Sequence, residues 1–212
     1  ALRIAAHSGR GRPFHSLGRM TTLSSPNRIV WDYFDALRRL VVESRKADAE
    51  AIRRQSAALA VVMSVTVVEV FLNIRFRISA EEFHSTDEIM RLISELGHPR
   101  PWSLDQKLKH WPKRFLSKSI NFDEGPGAEF MRIKKLRNSI IHFSSTHIST
   151  KHEGVVMHGL ADTTEYDALS YEDARRALFA AEDLIGEIFL LAGVEPHNVR
   201  HMLHLWAGRV PL

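Results

Sequence analysis

The stretch AALAVVMSVTVVEVFL, residues 57–72, decides the fold class. A helix formed by this stretch is apolar on nearly every side, and its only interruptions are Ser64, Thr66 and Glu69. A helix of this kind belongs in the middle of a protein or in a membrane. A bilayer needs about 20 apolar residues, whereas Glu69 ends the run after residue 68. We therefore predict a central buried helix from about Asp48 to Phe76, and no membrane span.

The sequence on both sides of this segment predicts further helices. Ser25-Pro26 is typical of an N-cap followed by proline at the first helical position, and it begins a helix whose apolar residues recur through Val41. The others are an amphipathic helix over residues 81–96, a short helix that begins after the Ser103 cap and ends at Pro112, a helix over 128–143, and a last helix from Ser170 to Gly193. The pattern indicates an all-α fold, a bundle of about five helices. It also indicates a long irregular connection after the 128–143 helix, with a hairpin at 154–160 as one option.

Length and charge limit the organisation of the chain. The 212 residues suffice for one domain, which we place at residues 25–212, after a flexible basic arm at residues 1–24 of which part could be non-native. The net charge of +4 equals the four arginines of the first 20 residues, which include no acid, so the rest of the chain is balanced. This distribution is not that of a broad basic face for nucleic acid. The absence of cysteine excludes disulfides, thiolate metal sites and cysteine nucleophiles.

One residue of the 128–143 helix has an unusual position. At about 100° per residue, Arg137 falls inside the apolar arc of that helix, between Ile133 and Ile141. A guanidinium buried without a partner is strongly destabilising, so we expect either a carboxylate partner or a place at an interface or cleft. Glu69 is the natural candidate, because it is the only charge in the apolar run. An Arg137–Glu69 pair that only fixes helix packing is thus one interpretation, and a functional arginine is the other.

The string RNSIIH, residues 137–142, resembles the R-x(4–6)-H motif of HEPN domains (higher eukaryotes and prokaryotes nucleotide-binding). The bare motif also fits three other pairs in this chain, Arg10/His15, Arg77/His84 and Arg91/His98. Context distinguishes residues 137–142: asparagine follows the arginine, as it commonly does in that family, and the motif lies late in an amphipathic helix. A long apolar helix with a lone acid precedes it, and another long helix follows. The resemblance covers about residues 27–193 by helix order and six residues by motif.

The resemblance implies a particular chemistry. Many HEPN proteins are metal-independent endoribonucleases in which the motif helices of two protomers meet at a two-fold axis, so it implies RNA as substrate, a homodimer, and neither cofactor nor metal. His142 would be the general acid or base for attack of the ribose 2′-hydroxyl on the adjacent phosphate. Arg137 would hold that phosphate, and Asn138 would orient the phosphate or the histidine. Single-stranded RNA would yield a 2′,3′-cyclic phosphate and a free 5′-hydroxyl.

The resemblance also suggests a biological setting. It implies a toxin or antiviral defence protein of a microbial cytoplasm, with a cognate antitoxin as a candidate partner. Some HEPN proteins have polar residues on an earlier helix near the motif, and Glu69 and Asn73, one turn apart, would border the site in this way. A structural Glu69 and an exposed Asn73 near a helix end are the other interpretation.

Residues 100–118 form a second candidate surface for RNA. They hold six basic side chains and one acid, with aromatic residues between them, a combination that suits single-stranded nucleic acid. The candidate RNA-guiding residues are Lys107, Lys109, Trp111, Lys113 and Arg114. The alternative is a short amphipathic helix with its aromatic side chains in the core and its lysines in water.

A second functional hypothesis comes from a different class. Other HEPN proteins lack activity, so the domain could be a non-catalytic module for dimerisation, partner binding or nucleotide binding. The balanced charge of residues 21–212 agrees with this hypothesis, because it gives little electrostatic attraction for RNA. The histidines after the motif do not follow a recognised ligand spacing. His197 and His201 are one turn apart if helical and could bind a metal, but they lack the glutamate of the zinc-protease arrangement, so we predict no metal site.

Overall fold

A computed structural model describes residues 25–83, 85–97, 102–142, 145–146, 150–157 and 160–208. The basic arm predicted at residues 1–24 lies outside the described residues. Within them the fold is all-α, as the sequence predicts, with eight helices. The helices are α1 (Arg28–Lys46), α2 (Glu50–Phe83), α3 (Thr86–Gly97), α4 (Leu104–Leu116), α5 (Gly125–Ile141), α6 (Thr164–Asp167), α7 (Tyr171–Leu191) and α8 (Pro196–Ala207).

The long helix α2 is the centre of the bundle. It packs against α1, α7, α5, α3 and α4, and this explains why its apolar residues surround the helix instead of forming one stripe. Phe71 shows the result: its ring meets Phe189 of α7 and Trp206 of α8 edge-on, at centroid distances of 5.5 and 5.2 Å. The prediction of a central buried helix is confirmed, although α2 continues to Phe83 and not to Phe76.

The length of α2 corrects one part of the sequence argument. At 34 residues it is long and apolar enough, by length and composition alone, to cross a membrane, which the twelve-residue run did not indicate. In the structure 56% of its most apolar window is buried inside the bundle. Burial against the other helices therefore accounts for its composition, as in the core helix of many soluble folds.

The structure differs from the prediction at the end of α4, and it contains two helices, α8 and α6, that were not predicted. Pro112 lies inside α4 instead of ending it, since burial of Trp111 and Phe115 continues the helix past the missing amide. No helix is predicted after Gly193, although proline at the first position, as Pro196 of α8, is a common helix start. The single turn α6 was also missed, because four residues are too short to show periodicity.

The connection between α5 and α6 contains short antiparallel strand pairs. The strands are β1 (Ser145–Thr146), β2 (Thr150–His152), β3 (Val155–Met157) and β4 (Leu160–Ala161); β1 pairs with β4 and β2 pairs with β3. Glu153 and Gly154 turn the chain between β2 and β3 with φ of 50° and 86°, the pattern of a type I′ hairpin turn. The hairpin thus lies at 150–157, slightly before the predicted 154–160.

A buried ion pair joins the first and last parts of the chain. The Arg38 guanidinium donates to Glu182 at 2.7 Å and to the carbonyl oxygen of Ala207 at 2.5 Å, so it connects α1 with α7 and α8. Burial raises the pKa of the Glu182 carboxyl, and the hydrogen bond from Arg38 opposes that shift. A single side chain therefore connects three helices of the bundle.

Close packing determines where α5, the helix that carries the motif, begins. Burial raises the pKa of the Glu187 carboxyl on α7, and the nearby backbone amides of Asn121 and Gly127 oppose that shift. At Gly127 there is no room for a side chain: a Cβ atom would overlap the carbonyl oxygen of Asn121 and lie 2.7 Å from the Cγ2 atom of Ile120. The start of α5 is thereby held against α7.

We predict that Gly127→Ala lowers the free energy of unfolding by about 2 kcal/mol and Tm by about 4–8 °C, because the backbone of residue 121 must move. Thermal unfolding followed by circular dichroism measures the change. Gly97→Ala is the matched control, because a Cβ there meets nothing within 4 Å. An equal loss of stability in both variants would contradict the packing argument.

Candidate active site

The motif lies at the C-terminal end of α5. Ile141 is the last helical residue, and the backbone amide of His142 still donates to the carbonyl oxygen of Asn138 at 2.8 Å. The His142 side chain is exposed, while Arg137 and Asn138 are half-buried. The end of the helix therefore presents an imidazole to solvent, with the arginine and the asparagine one turn earlier.

Arg137 has no carboxylate partner among the residues that the structure describes. Its Nη1 atom donates to Oδ1 of the neighbouring Asn138 at 3.1 Å, and its Nε atom is buried without a hydrogen-bond partner there. A buried donor without an acceptor is destabilising unless a ligand or another chain supplies the acceptor. The guanidinium is thus held in place by Asn138 and is not neutralised within the described protomer.

The predicted pairing of Arg137 with Glu69 is wrong. Glu69 accepts a hydrogen bond at 2.6 Å from Nζ of Lys107, on α4, whose side chain is only 4% exposed. The lysine is also 5.6 Å from the ring centroid of Trp111. Because α4 packs on α2, it brings a buried ammonium to the one acid of the apolar run, and Glu69 neutralises that lysine instead of the arginine.

His142 lines a small cleft of about 120 Å³ with Ser139, Asp162, Glu165 and Tyr166, which we call the His142 cleft. Asp162 accepts hydrogen bonds from the amide and the hydroxyl of Thr164, at 3.0 and 2.7 Å, and these bonds lower the pKa of its carboxyl. Arg137 and Asn138 are not among the described residues that line the cleft. At this size, well below the usual 300 Å³ or more of a ligand pocket, it can accept one functional group such as a phosphate.

Glu69 and Asn73 are not among the described residues that line the His142 cleft, so their predicted place beside the site stays a prediction. Asn73 instead lines a groove of about 510 Å³ between α1, α2 and α3, in which its Oδ1 atom is buried and has no partner among the described atoms. The two residues are one turn apart on α2, yet Glu69 is engaged by α4 while Asn73 faces α1 and α3. Although the two residues are one turn apart on α2, they therefore contact different helices.

The predicted RNA-guiding surface on α4 is also largely corrected. Trp111 is 0% exposed, Lys107 is buried with Glu69, and Arg114 donates to Glu88 and Glu95 of α3 at 2.6 and 2.8 Å. Lys109 and Lys113 remain exposed. The apolar positions of α4 recur at helical spacing and turn its aromatic side chains into the core, as the alternative interpretation expected for them.

The acids and the tyrosine of the cleft were not predicted from the sequence. Asp162, Glu165 and Tyr166 belong to α6 and the residues before it, in the connection that the sequence showed only as polar and irregular. The one available signal was the length of that connection, since long connections in compact domains are often functional. Which of its residues approach His142 depends on the packing of α6 on α5.

Comparison of the chain with protein-family models, with curated proteins and with solved structures finds no match. The likeness to HEPN domains therefore stays a prediction based on the motif and on the order of the helices.

The assignment of the charges can be tested through stability. Glu69→Gln leaves the Lys107 ammonium buried without a carboxylate, so we expect the free energy of unfolding to fall by about 2–3 kcal/mol. Arg137→Gln removes no ion pair with a described residue, and we expect a loss below about 1 kcal/mol. Urea unfolding monitored by circular dichroism compares the two, and a larger loss for Arg137→Gln would restore the pairing that the structure contradicts.

Proposed function

We propose that this protein is a metal-independent endoribonuclease that cleaves single-stranded RNA with Arg137, Asn138 and His142. The observation that carries the proposal is the state of Arg137. It is half-buried, bonded to Asn138 and without a carboxylate among the described residues, five positions before an exposed histidine. A structural arginine would be neutralised by an acid, whereas an arginine that receives a phosphate needs to be free of one.

The proposed reaction uses groups that these residues carry. His142 removes the proton of the ribose 2′-hydroxyl or protonates the leaving 5′-oxygen, a role that suits an imidazole near neutral pH. Arg137 binds the oxygens of the scissile phosphate and stabilises the negative charge that develops on them. Asn138 holds the guanidinium in position through the 3.1 Å hydrogen bond. The 2′-oxygen displaces the 5′-oxygen and leaves a 2′,3′-cyclic phosphate.

A homodimer would bring these groups together. Arg137 and Asn138 do not line the His142 cleft of their own protomer, so a second copy supplies the missing cation in this proposal. Ile141 is 41% exposed and lies about 40° from Arg137 around α5, so an apolar side chain accompanies the arginine on the face that would meet the partner. If two copies bury that face, Arg137 lies at an interface, one of the two positions expected for an arginine among apolar neighbours.

The cellular setting remains part of the proposal. The resemblance to HEPN domains supports a toxin or defence effector that acts in the cytoplasm, where RNA substrates and a cognate antitoxin would be present.

One observation favours the non-catalytic alternative. The His142 cleft is lined by the carboxyl groups of Asp162 and Glu165, which repel a phosphate. Under this alternative the same end of α5 binds a protein partner or a second copy, and His142 transfers no proton. Cleavage assays separate the two functions directly.

Cleavage should require His142 and no divalent metal. We expect the wild type to cut single-stranded RNA in excess EDTA, and His142→Ala to lower the rate about 10²–10⁴-fold, the usual contribution of a general acid or base. Denaturing gels with end-labelled RNA measure the rate. His204→Ala, at an exposed histidine on α8, is the control and should keep full activity. Equal rates for wild type and His142→Ala would eliminate the mechanism.

A mixing experiment tests whether the site is shared between protomers. Arg137→Ala and His142→Ala should each be inactive alone. If each cleft takes its arginine from one copy and its histidine from the other, an equal mixture should recover about one quarter of wild-type activity, because half of the dimers are mixed and one of their two clefts is intact. Co-refolded mixtures assayed on the same RNA measure the recovery, and no recovery would place the site within one protomer.

A further inference from the structure

A second cavity lies beside the His142 cleft and belongs to neither the motif nor the predicted RNA surface. It has a volume of about 270 Å³ and lies between the end of α1, the start of α2, α6 and the start of α7. Three arginines line it, Arg45, Arg53 and Arg54, and we call it the arginine cavity.

Two of these arginines have no carboxylate partner among the residues that the structure describes. Arg45 lies over the ring of Tyr171, with its Cζ atom 5.6 Å from the ring centroid. Nη1 of Arg53 donates to the carbonyl oxygens of Ala47 and Asp48, at 2.8 and 3.0 Å. Arg45 is exposed to solvent and Arg53 is half-buried, and neither guanidinium group forms an ion pair with a described carboxylate.

The third arginine neutralises the acids of the cavity. Arg54 donates to Glu50 at 2.7 Å and to Asp167 at 3.1 Å. These carboxylates are thus engaged with one arginine and leave the charge of the other two for a ligand. A solvent-open cavity lined by two guanidinium groups that have no ion pair suits an anion, and the planar donor array of arginine suits the oxygens of a phosphate.

The position of α6 connects this cavity with the proposed reaction. Glu165 and Tyr166 line the His142 cleft, and the next residue, Asp167, lines the arginine cavity. Adjacent Cα atoms are about 3.8 Å apart, so the two spaces are neighbours on either side of one helical turn. Because the two spaces share α6 as a wall, they are placed to receive neighbouring phosphates of one strand.

We propose that the arginine cavity is a subsite for an RNA phosphate adjacent to the scissile one, held by Arg45 and Arg53. This inference rests on the proposed function, since the scissile phosphate defines the first position. The strand runs from the His142 cleft across α6 to the cavity, so the substrate is single-stranded RNA with at least one phosphate beyond the bond that is cut. The subsite also gives a protein with balanced charge a local attraction for its substrate.

The test uses Arg45→Gln in the full chain, because Arg45 has no hydrogen bond or ion pair within the described part of the protein, so its removal should not unfold it. The substrate is an oligodeoxynucleotide with one ribonucleotide, which can be cut at a single bond. We expect Arg45→Gln to lower kcat/KM about tenfold through KM, the effect of one lost charge-assisted hydrogen bond. A neutral methylphosphonate at the neighbouring linkage should lower wild-type kcat/KM equally, and combining both changes should cause no further loss.

Arg39→Gln is the matched control. Arg39 is also on α1, its side chain is 78% exposed, it pairs with Asp35, and it does not line the cavity. It should leave kcat/KM and its methylphosphonate sensitivity unchanged. Two results would overturn the subsite. One is an Arg45→Gln variant with the kcat/KM of Arg39→Gln. The other is a methylphosphonate that lowers the kcat/KM of Arg45→Gln by the same factor as that of the wild type.

A binding arm separates failure of the subsite from failure of the proposed reaction. Fluorescence anisotropy with 2′-O-methyl RNA, which cannot be cleaved, should show about tenfold weaker binding by Arg45→Gln. The slope of log K against log salt should also fall in magnitude by about 0.7, the change for one phosphate contact on a single strand. A wild type that binds in this Arg45-dependent way but cuts nothing would remove the reaction and keep the phosphate site. A wild type that cuts RNA with no effect of Arg45 on binding or cleavage would remove the subsite alone.

Discussion

An ammonium group that is buried inside a helical bundle must find its counter-charge there. Lys107 of α4, whose side chain is 4% exposed, meets this requirement through the carboxylate of Glu69 on α2, 2.6 Å away. The acid of the apolar run is thus engaged by this lysine and not by Arg137. Arg137, at the end of α5, is left with a single hydrogen bond to Asn138. The division of charges between α2, α4 and α5 therefore separates an arginine that is free to bind a ligand from an acid that only supports the core.

The single turn α6, although only four residues long, lies between the two proposed sites. It packs on α5 and α2, and Arg54 attaches it to the start of α2 through Asp167. Its residues line the His142 cleft on one side and the arginine cavity on the other. The cleft lined by His142 and the cavity lined by Arg45 and Arg53, which lie about 90 residues apart in the chain, thereby share α6 as a wall. The proposed path of an RNA strand depends on this placement.

Local charge matters more to these proposals than net charge. Beyond the first 20 residues the acidic and basic side chains balance, and the described ion pairs engage many of them, including Arg38, Arg54 and Arg114. The guanidinium groups of Arg45, Arg53 and Arg137 differ because none of them has a carboxylate partner in the described structure. An overall balance can hide such positions, since attraction within a cleft depends on the charges that line it.

The sequence by itself determined the helical class, the central position of α2 and the starts of α4 and α7, because hydrophobic periodicity and capping residues act over a few neighbouring residues. It also determined that Arg137 is unusual, since helical geometry places that residue among apolar neighbours. Only the tertiary structure decided which charges meet. Whether Glu69 pairs with Arg137 or with Lys107, whether Trp111 faces water or the core, and which residues of the α5–α6 connection reach His142 all depend on contacts between distant segments. Residue spacing within one helix contains no information about the angle and depth at which another helix packs on it. For this reason the sequence could place the candidate site on α5 but could not identify the residues of other elements that line it.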